Sequence, residues 1–395
     1  MDNITHTLFA ATLARTPLGR SGRGTTAALI LASNAPDIDI VATAGGALKY
    51  LEWHRGPTHG PLGIVGLGII TAALVVGGRL IVDRRHRKIR LRLNPEHSDA
   101  GPDGVAASQP HADREVRPHA NASFAGLVGV SIVGILFHVL MDLPTSYGTR
   151  LLSPFDWHWY ASDWMPIIDL YLLVALAAGL FLGRTSEGAG RRYALIVLTV
   201  MAADYGLRAA AHERAIAAAP RVFGPLLPRP CAGVSPRMTI DRWPRPAPAM
   251  PREAGDRCLV EIAATPGFTS PFEWRIIVQL SNEYYVRSVN LLDLRLNADA
   301  GVWRLAMGVP NVWTPAVMTA AEAPPARVFL GFSRFPAARV SVDHDGVATV
   351  QWTDMRFSGG PDPPRPQNDG RGDLFGATVR VGRDGRILRA QLGGR

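Results

Sequence analysis

The chain divides into a half built on long apolar windows and a half built on short alternating runs. Windows of about 20 apolar residues mark helices that cross a bilayer, and residues 61–82, 121–141, 165–183 and 193–211 each supply one. Two shorter apolar segments, residues 4–18 and 25–41, precede them and carry polar residues near one end. They predict short spans or half-buried helices packed on the bundle. Beyond Ala211 the pattern stops. Pro225, Pro228, Pro230, Pro236, Pro244, Pro246, Pro248 and Pro251 predict a stiff, irregular linker through which no helix runs. From Cys258 onward, residues 258–263, 273–280, 284–292 and 328–332 are rich in β-branched and aromatic side chains and predict strands. Asp345-Gly346 joins residues 339–342 to 347–350, and Asp384-Gly385 joins 378–381 to 386–388, which predicts two hairpins with type I′ turns. A Gly/Pro-rich loop, 358–373, separates them. The expected fold is a mainly α polytopic membrane bundle of about four to six helical segments followed by a small antiparallel β domain. Its divisions fall at 1–211, 212–256 and 257–395.

Charge orients this bundle. Eight lysines and arginines lie between Asp83 and Ala120 and three from Arg184 to Arg192, against Arg150 alone between Met141 and Trp164. Basic short loops stay cytoplasmic, so the first two loops face inward and the third outward. Arg15, Arg20 and Arg23 then fall on the cytoplasmic side as well. His6, Asp37, Asp39, His54, His59, His138 and Asp142 consequently all arrive at the outer face. The basic loop 83–120 reads as a flexible connector in which His97, His111 and His119 are incidental. The outer loop carries Phe155, Trp157, Trp159, Tyr160 and Trp164, an aromatic belt of the kind that anchors a protein where membrane meets water. His158 and Asp163 in that loop are weaker ligand candidates.

Composition narrows the function classes. Of 395 residues 47% are hydrophobic, but they are concentrated before residue 212, which separates a membrane half from a polar half. The net charge of +9 is carried almost wholly by arginine. Because the arginines are scattered or flank apolar runs, they set topology and do not form a nucleic-acid surface. The first residues lack a basic segment, so no cleaved signal peptide is expected. Cys231 and Cys258 both lie in the polar half, and two cysteines alone do not establish a bridge.

The chemistry-bearing residues sit at the ends of apolar runs. His54-Arg55-Gly56-Pro57-Thr58-His59 holds two imidazoles on a turn just before the first long window. Asp37 and Asp39 alternate about Ile38 after Pro36, which interrupts a regular helix, so both carboxylates can turn towards one ion or two adjacent ions; capping of a helix end is the plainer role. His138 and Asp142, four apart, share a helix face and suit either ligation or a simple His–Asp hydrogen bond. Imidazole and carboxylate are the usual donors for zinc, and a carboxylate-rich set also suits manganese. Arg55 could stabilise an oxyanion, Thr58 could orient a water, and an Asp not used as a ligand could accept its proton, with Asp39 in that role. Asp204 and Arg208 read as an internal ion pair, whereas Asp169 has no evident partner.

Met1-Asp2-Asn3-Ile4-Thr5-His6, Pro36-Asp37-Ile38-Asp39, the His54–His59 element and His138 with Asp142 together resemble the YdjM-like family of bacterial membrane-bound metal-dependent hydrolases, over about the first 180 to 210 residues. The resemblance implies an inner-membrane helical hydrolase whose metal residues are His6, Asp37, Asp39, His54, His59, His138 and Asp142. The expectation is a divalent-metal site at the periplasmic membrane face acting on a lipid-linked or envelope substrate such as an ester or phosphoester, with the β domain in the periplasm. An ion- or proton-relay protein, and a structural envelope protein with a stabilising metal site, are the alternatives. Nothing in the sequence specifies oligomeric state.

Overall fold

The computed structural model describes all residues except 94–119, 225–226, 235–237, 246–256, 294–306, 312, 359–374 and 394–395. The expected basic connector and the loop between the hairpins therefore lie largely outside the described residues. The chain starts with α1 (Asn3–Leu13), capped by the Asp2 carboxylate, which accepts from the Ile4 and Thr5 amides at 3.0 Å each. α2 (Thr25–Ala32) ends ahead of Pro36, and the chain continues as a 3-10 helix (Ala35–Gly45) and α3 (Gly46–Trp53). α4 (Pro61–Leu93), α5 (Phe124–Asp142), α6 (Leu170–Leu182) and α7 (Glu187–Phe223) complete the bundle.

Among the described residues three helices are long and apolar enough to cross a membrane: 61–89 in α4, then α5 and α7. α2 with residues 35–53, bent by 41° at the break, forms a fourth, broken span or a re-entrant loop. The window 165–183 behaves differently from expectation. Its helix has 13 residues, about 20 Å, short of the roughly 30 Å hydrocarbon core. Pro166 keeps Met165 extended, and the helix starts only where the Asp169 carboxylate accepts from the Leu172 amide at 2.9 Å. The bundle has two unlike ends. At one, Arg79 donates to the Arg23 carbonyl at 2.7 Å and Arg23 pairs with Asp83 at 2.8 Å. At the other lie His6, His59, His138 and Asp142, all fully buried.

α7 does not stop at Ala211. It runs through 212–223, part of the expected linker, because this alanine-rich stretch has high helix propensity and an apolar stripe. Ala215, Ala219, Val222 and Phe223 pack on Trp274, Ile276 and Val278 of the first sheet. A second departure from the linker is β2 (Asp241–Trp243), which pairs with β1 (Trp159–Ala161) of the outer loop, Trp159 opposite Trp243. Trp159 is thus buried between the halves, and of the expected aromatic belt Phe155 and Trp157 remain exposed.

The first antiparallel sheet runs β3 (Leu259–Pro266), β4 (Glu273–Leu280), β5 (Glu283–Asn290), β6 (Met307–Pro310) in that order. The second contains β7 (Pro336–Val342), β8 (Ala348–Asp354), β9 (Gly376–Val381) and β10 (Ile387–Leu392), ordered β10-β9-β8-β7, and it is covered by two helices, α8 (Pro315–Ala321) and α9 (Pro324–Phe332). Residues 328–332, expected as a strand, belong to α9. Pro324 and Pro325 open that helix, and Ala326, Phe329 and Phe332, three apart, form its buried face. Both expected hairpins are present, with a different turn. Gly346 and Gly385 adopt positive φ of 72° and 78° while Asp345 and Asp384 do not, so each loop closes on one left-handed glycine instead of a type I′ pair.

Cys231 and Cys258 are bonded across a separation of 27 residues. Loop closure of that length is worth about 3 kcal/mol. Cys231→Ser is expected to lower the denaturant midpoint of the β half accordingly, measured by tryptophan fluorescence; an unchanged midpoint would show that the bridge is redundant.

Candidate metal centre

The site is assembled from three segments: the end of α5, the start of the 3-10 helix and the turn before α4. α5 carries His138 and Asp142 on its last turn, four apart. The His138 Nδ1–H donates to the Ser33 carbonyl at 2.8 Å, a group left without a helical partner because α2 has just ended. That bond fixes the tautomer and leaves Nε2 as the free donor atom. Asp37 comes from the 3-10 helix that Pro36 opens.

His59 closes the turn that begins at His54. Within it Arg55 holds a left-handed φ of 50°, a conformation that costs about 1–3 kcal/mol in a side chain with a Cβ. Its contacts over-determine it. The Arg55 amide donates to Asp39 Oδ2 at 2.6 Å, and Nη1 donates to the Gly148 carbonyl at 3.0 Å. Gly60 has to lack a side chain, since a Cβ there would stand 1.7 Å from the Ser153 carbonyl oxygen.

Four donor atoms converge. His138 Nε2 lies 3.2 Å from His59 Nε2, 3.5 Å from Asp142 Oδ2 and 3.6 Å from Asp37 Oδ1. His59 Nε2 lies 3.5 Å from Asp142 Oδ2 and 3.9 Å from Asp37 Oδ1. All four atoms fall within 4.8 Å of one another. Ligands about 2.0–2.1 Å from a tetrahedral zinc ion stand roughly 3.3 Å apart, and the five separations above, 3.2 to 3.9 Å, are close to that spacing. Two further observations fit a cation. Asp142 Oδ2 is buried and accepts no hydrogen bond among the described residues, although Arg55 Nη2 stands 3.2 Å away. Burial pushes the His59 imidazole down to about 4, so it is neutral, the form that ligates.

The other residues singled out from the sequence lie around this core. His6 stacks on His138 with ring centres 3.9 Å apart and places Nε2 3.4 Å from Asp142 Oδ1. Thr58 Oγ1 is 3.0 Å from His59 Nδ1. Asp39 faces away from the convergence point: Oδ1 meets His54 Nδ1 at 3.3 Å, Oδ2 takes the Arg55 amide, and His59 Nδ1 is 3.9 Å off. His54 in turn meets the Tyr50 hydroxyl at 3.2 Å. The two weaker candidates are engaged elsewhere, His158 with Asp156 and Asp163 with Arg334. Asp169 finds its partner in Arg208, which also reaches Asp204 at 3.5 Å. Sequence reasoning missed the Ser33 carbonyl, Tyr147 beneath the Arg55 guanidinium, and Arg356 behind Tyr147. None of these has a local sequence signal.

Fold and site together define an integral membrane protein whose helical bundle ends in a buried His/Asp cluster able to hold a metal ion. The chain belongs to the YdjM inner membrane protein family, whose model matches residues 1–215. Neither a curated protein nor a solved structure matches it.

Proposed function

We propose that the chain is a membrane-bound, metal-dependent hydrolase whose ion is held by Asp37, His59, His138 and Asp142. The observation that carries the reading is the convergence of four donor atoms from three segments, one of them a buried carboxylate oxygen that accepts no hydrogen bond among the described residues. Zinc suits two imidazoles and two carboxylates, and manganese is the other fit. A divalent ion bound there would acidify a water and polarise the scissile group. Arg55, with a buried Nε free of partners among the described residues, is placed to stabilise negative charge beside Asp142. Thr58 orients the His59 ring. Asp39, with both oxygens engaged by the His54–Arg55 turn, positions that turn. Asp37 is the more open of the two carboxylates in the cluster, which leaves the ion's side towards Asp37 nearest to solvent.

The outer wall of the site favours a substrate that lives in the membrane. Ile38, Ile40 and Val41 stand exposed on the same 3-10 segment that turns Asp37 and Asp39 inward, with Phe155 and Trp157 exposed on the outer loop. A lipid-linked ester or phosphoester fits such a wall. The Cys231–Cys258 bridge and the arginine distribution support a periplasmic position for the site and the β half. An ion relay would need ionisable groups at several depths, whereas Asp142, His59 and the Asp169–Arg208 pair gather towards one end.

Protein stripped with a chelator should lose hydrolysis of generic ester or phosphoester substrates in mixed micelles and regain it with one divalent ion. Hydrolysis that survives stripping would contradict the proposal. His54→Ala, which releases Asp39, is expected to weaken metal affinity by about 10–100-fold, read by competition with a chelating dye. Unaltered affinity would exclude a supporting role for His54.

A further inference from the structure

The turn after α5, residues 145–148, is gripped from two sides. On the metal side, Arg55 Nη1 donates to the Gly148 carbonyl at 3.0 Å and to Thr145 Oγ1 at 3.3 Å, and its guanidinium lies 5.0 Å from the centre of the Tyr147 ring. On the far side, Arg356 Nη1 donates to the Ser146 carbonyl at 2.8 Å and the Tyr147 carbonyl at 3.3 Å. Arg356 is itself rigidly held. Its Nε and Nη2 donate to Asp354 Oδ2 at 3.1 and 2.7 Å, Nη2 also donates to the Phe332 carbonyl at 3.1 Å, and both charged side chains are fully buried. Phe332, Phe357 and Phe375 pack on the Tyr147 ring at centroid distances of 5.1, 6.0 and 6.1 Å.

Two guanidinium groups therefore share one four-residue turn, and the metal-side one also contacts Asp142 Oδ2 at 3.2 Å. Loosening the turn would free the Arg55 guanidinium to move away from Asp142 Oδ2. We infer that Arg356 is a positioning residue for the metal centre, acting through the 145–148 turn and Tyr147 on Arg55. The inference rests on the reading of the cluster as a metal site. It makes the β half, which lies beyond the family-matched residues 1–215, a working part of the centre.

Arg356→Lys keeps the charge opposite Asp354 but cannot reach two carbonyls and both carboxylate contacts at once. Tyr147→Leu keeps apolar volume and removes the ring face under Arg55. Each full-length variant is purified in detergent, loaded with Co²⁺ alone and compared with wild type by visible absorption and by chelator competition. Cys231→Ser serves as control, since it weakens the β half without touching the turn. The expected result is that both variants still bind cobalt, with shifted visible bands and about 10–100-fold weaker affinity, while the control keeps the wild-type spectrum. Wild-type spectra and affinities in both variants, or the same shift in the control, would overturn the inference. Failure of the wild type to bind cobalt would overturn the metal reading beneath it as well, and so marks that case apart.

Discussion

Asp142→Ala is expected to be the most damaging single substitution in the chain, removing the bound ion and about 3–5 kcal/mol of stability at once. It is the carboxylate on which the charged and ligating groups of the site meet. Its two oxygens face His6, His59, His138 and Arg55 at 3.2 to 3.5 Å, and Oδ1 also contacts the Met1 amino group. Without it the buried Arg55 guanidinium loses its only carboxylate among the described residues. An uncompensated charge, not a lost contact, sets the size of the effect. Asp142→Asn keeps the shape and should recover part of the stability without recovering metal. Denaturation in detergent followed by tryptophan fluorescence reads both variants, and an Asp142→Ala protein as stable as wild type would contradict the geometry.

His59→Ala is expected to lower hydrolysis by on the order of 10³-fold or more while leaving the fold intact. The asymmetry with Asp142 is physical. His59 is neutral where it sits, so its removal leaves a small polar cavity and no unpaired charge. Its partners Thr58 and His138 each keep another contact or reach solvent. The readout is kcat/KM on whichever ester or phosphoester the wild type turns over, beside circular dichroism. A folded variant with wild-type turnover would remove His59 from the chemistry.

Much of this was legible in the sequence, for identifiable reasons. Windows such as 121–141 declare a spanning helix through length and hydropathy, and the His-x4-His and Asp-x-Asp elements announce themselves because chemistry and turn residues coincide. Charge counts then brought those elements to one end of the bundle. What stayed hidden depends on tertiary context. Residues 328–332 have strand-like composition but become helical once Phe329 is buried on the second sheet and Phe332 against Tyr147, Trp159 and Trp243. The helix through 212–223 persists because its alanine face is covered by Trp274 and Ile276. The separate tasks of Asp37 and Asp39, two residues apart, follow from which one the His54–Arg55 turn engages. Arg356 lies 301 residues from the Arg55 it supports across the turn, too far for any local pattern to connect them.

The central claim, that Asp37, His59, His138 and Asp142 bind a divalent ion, is tested most directly by elemental analysis of detergent-purified protein. Wild type and a His59→Ala/His138→Ala double variant, grown and purified in parallel, are compared for metal per chain. The account predicts near-stoichiometric zinc or manganese in the wild type and none above background in the double variant. Equal metal in the two proteins, or a metal-free wild type from metal-replete growth, would contradict it.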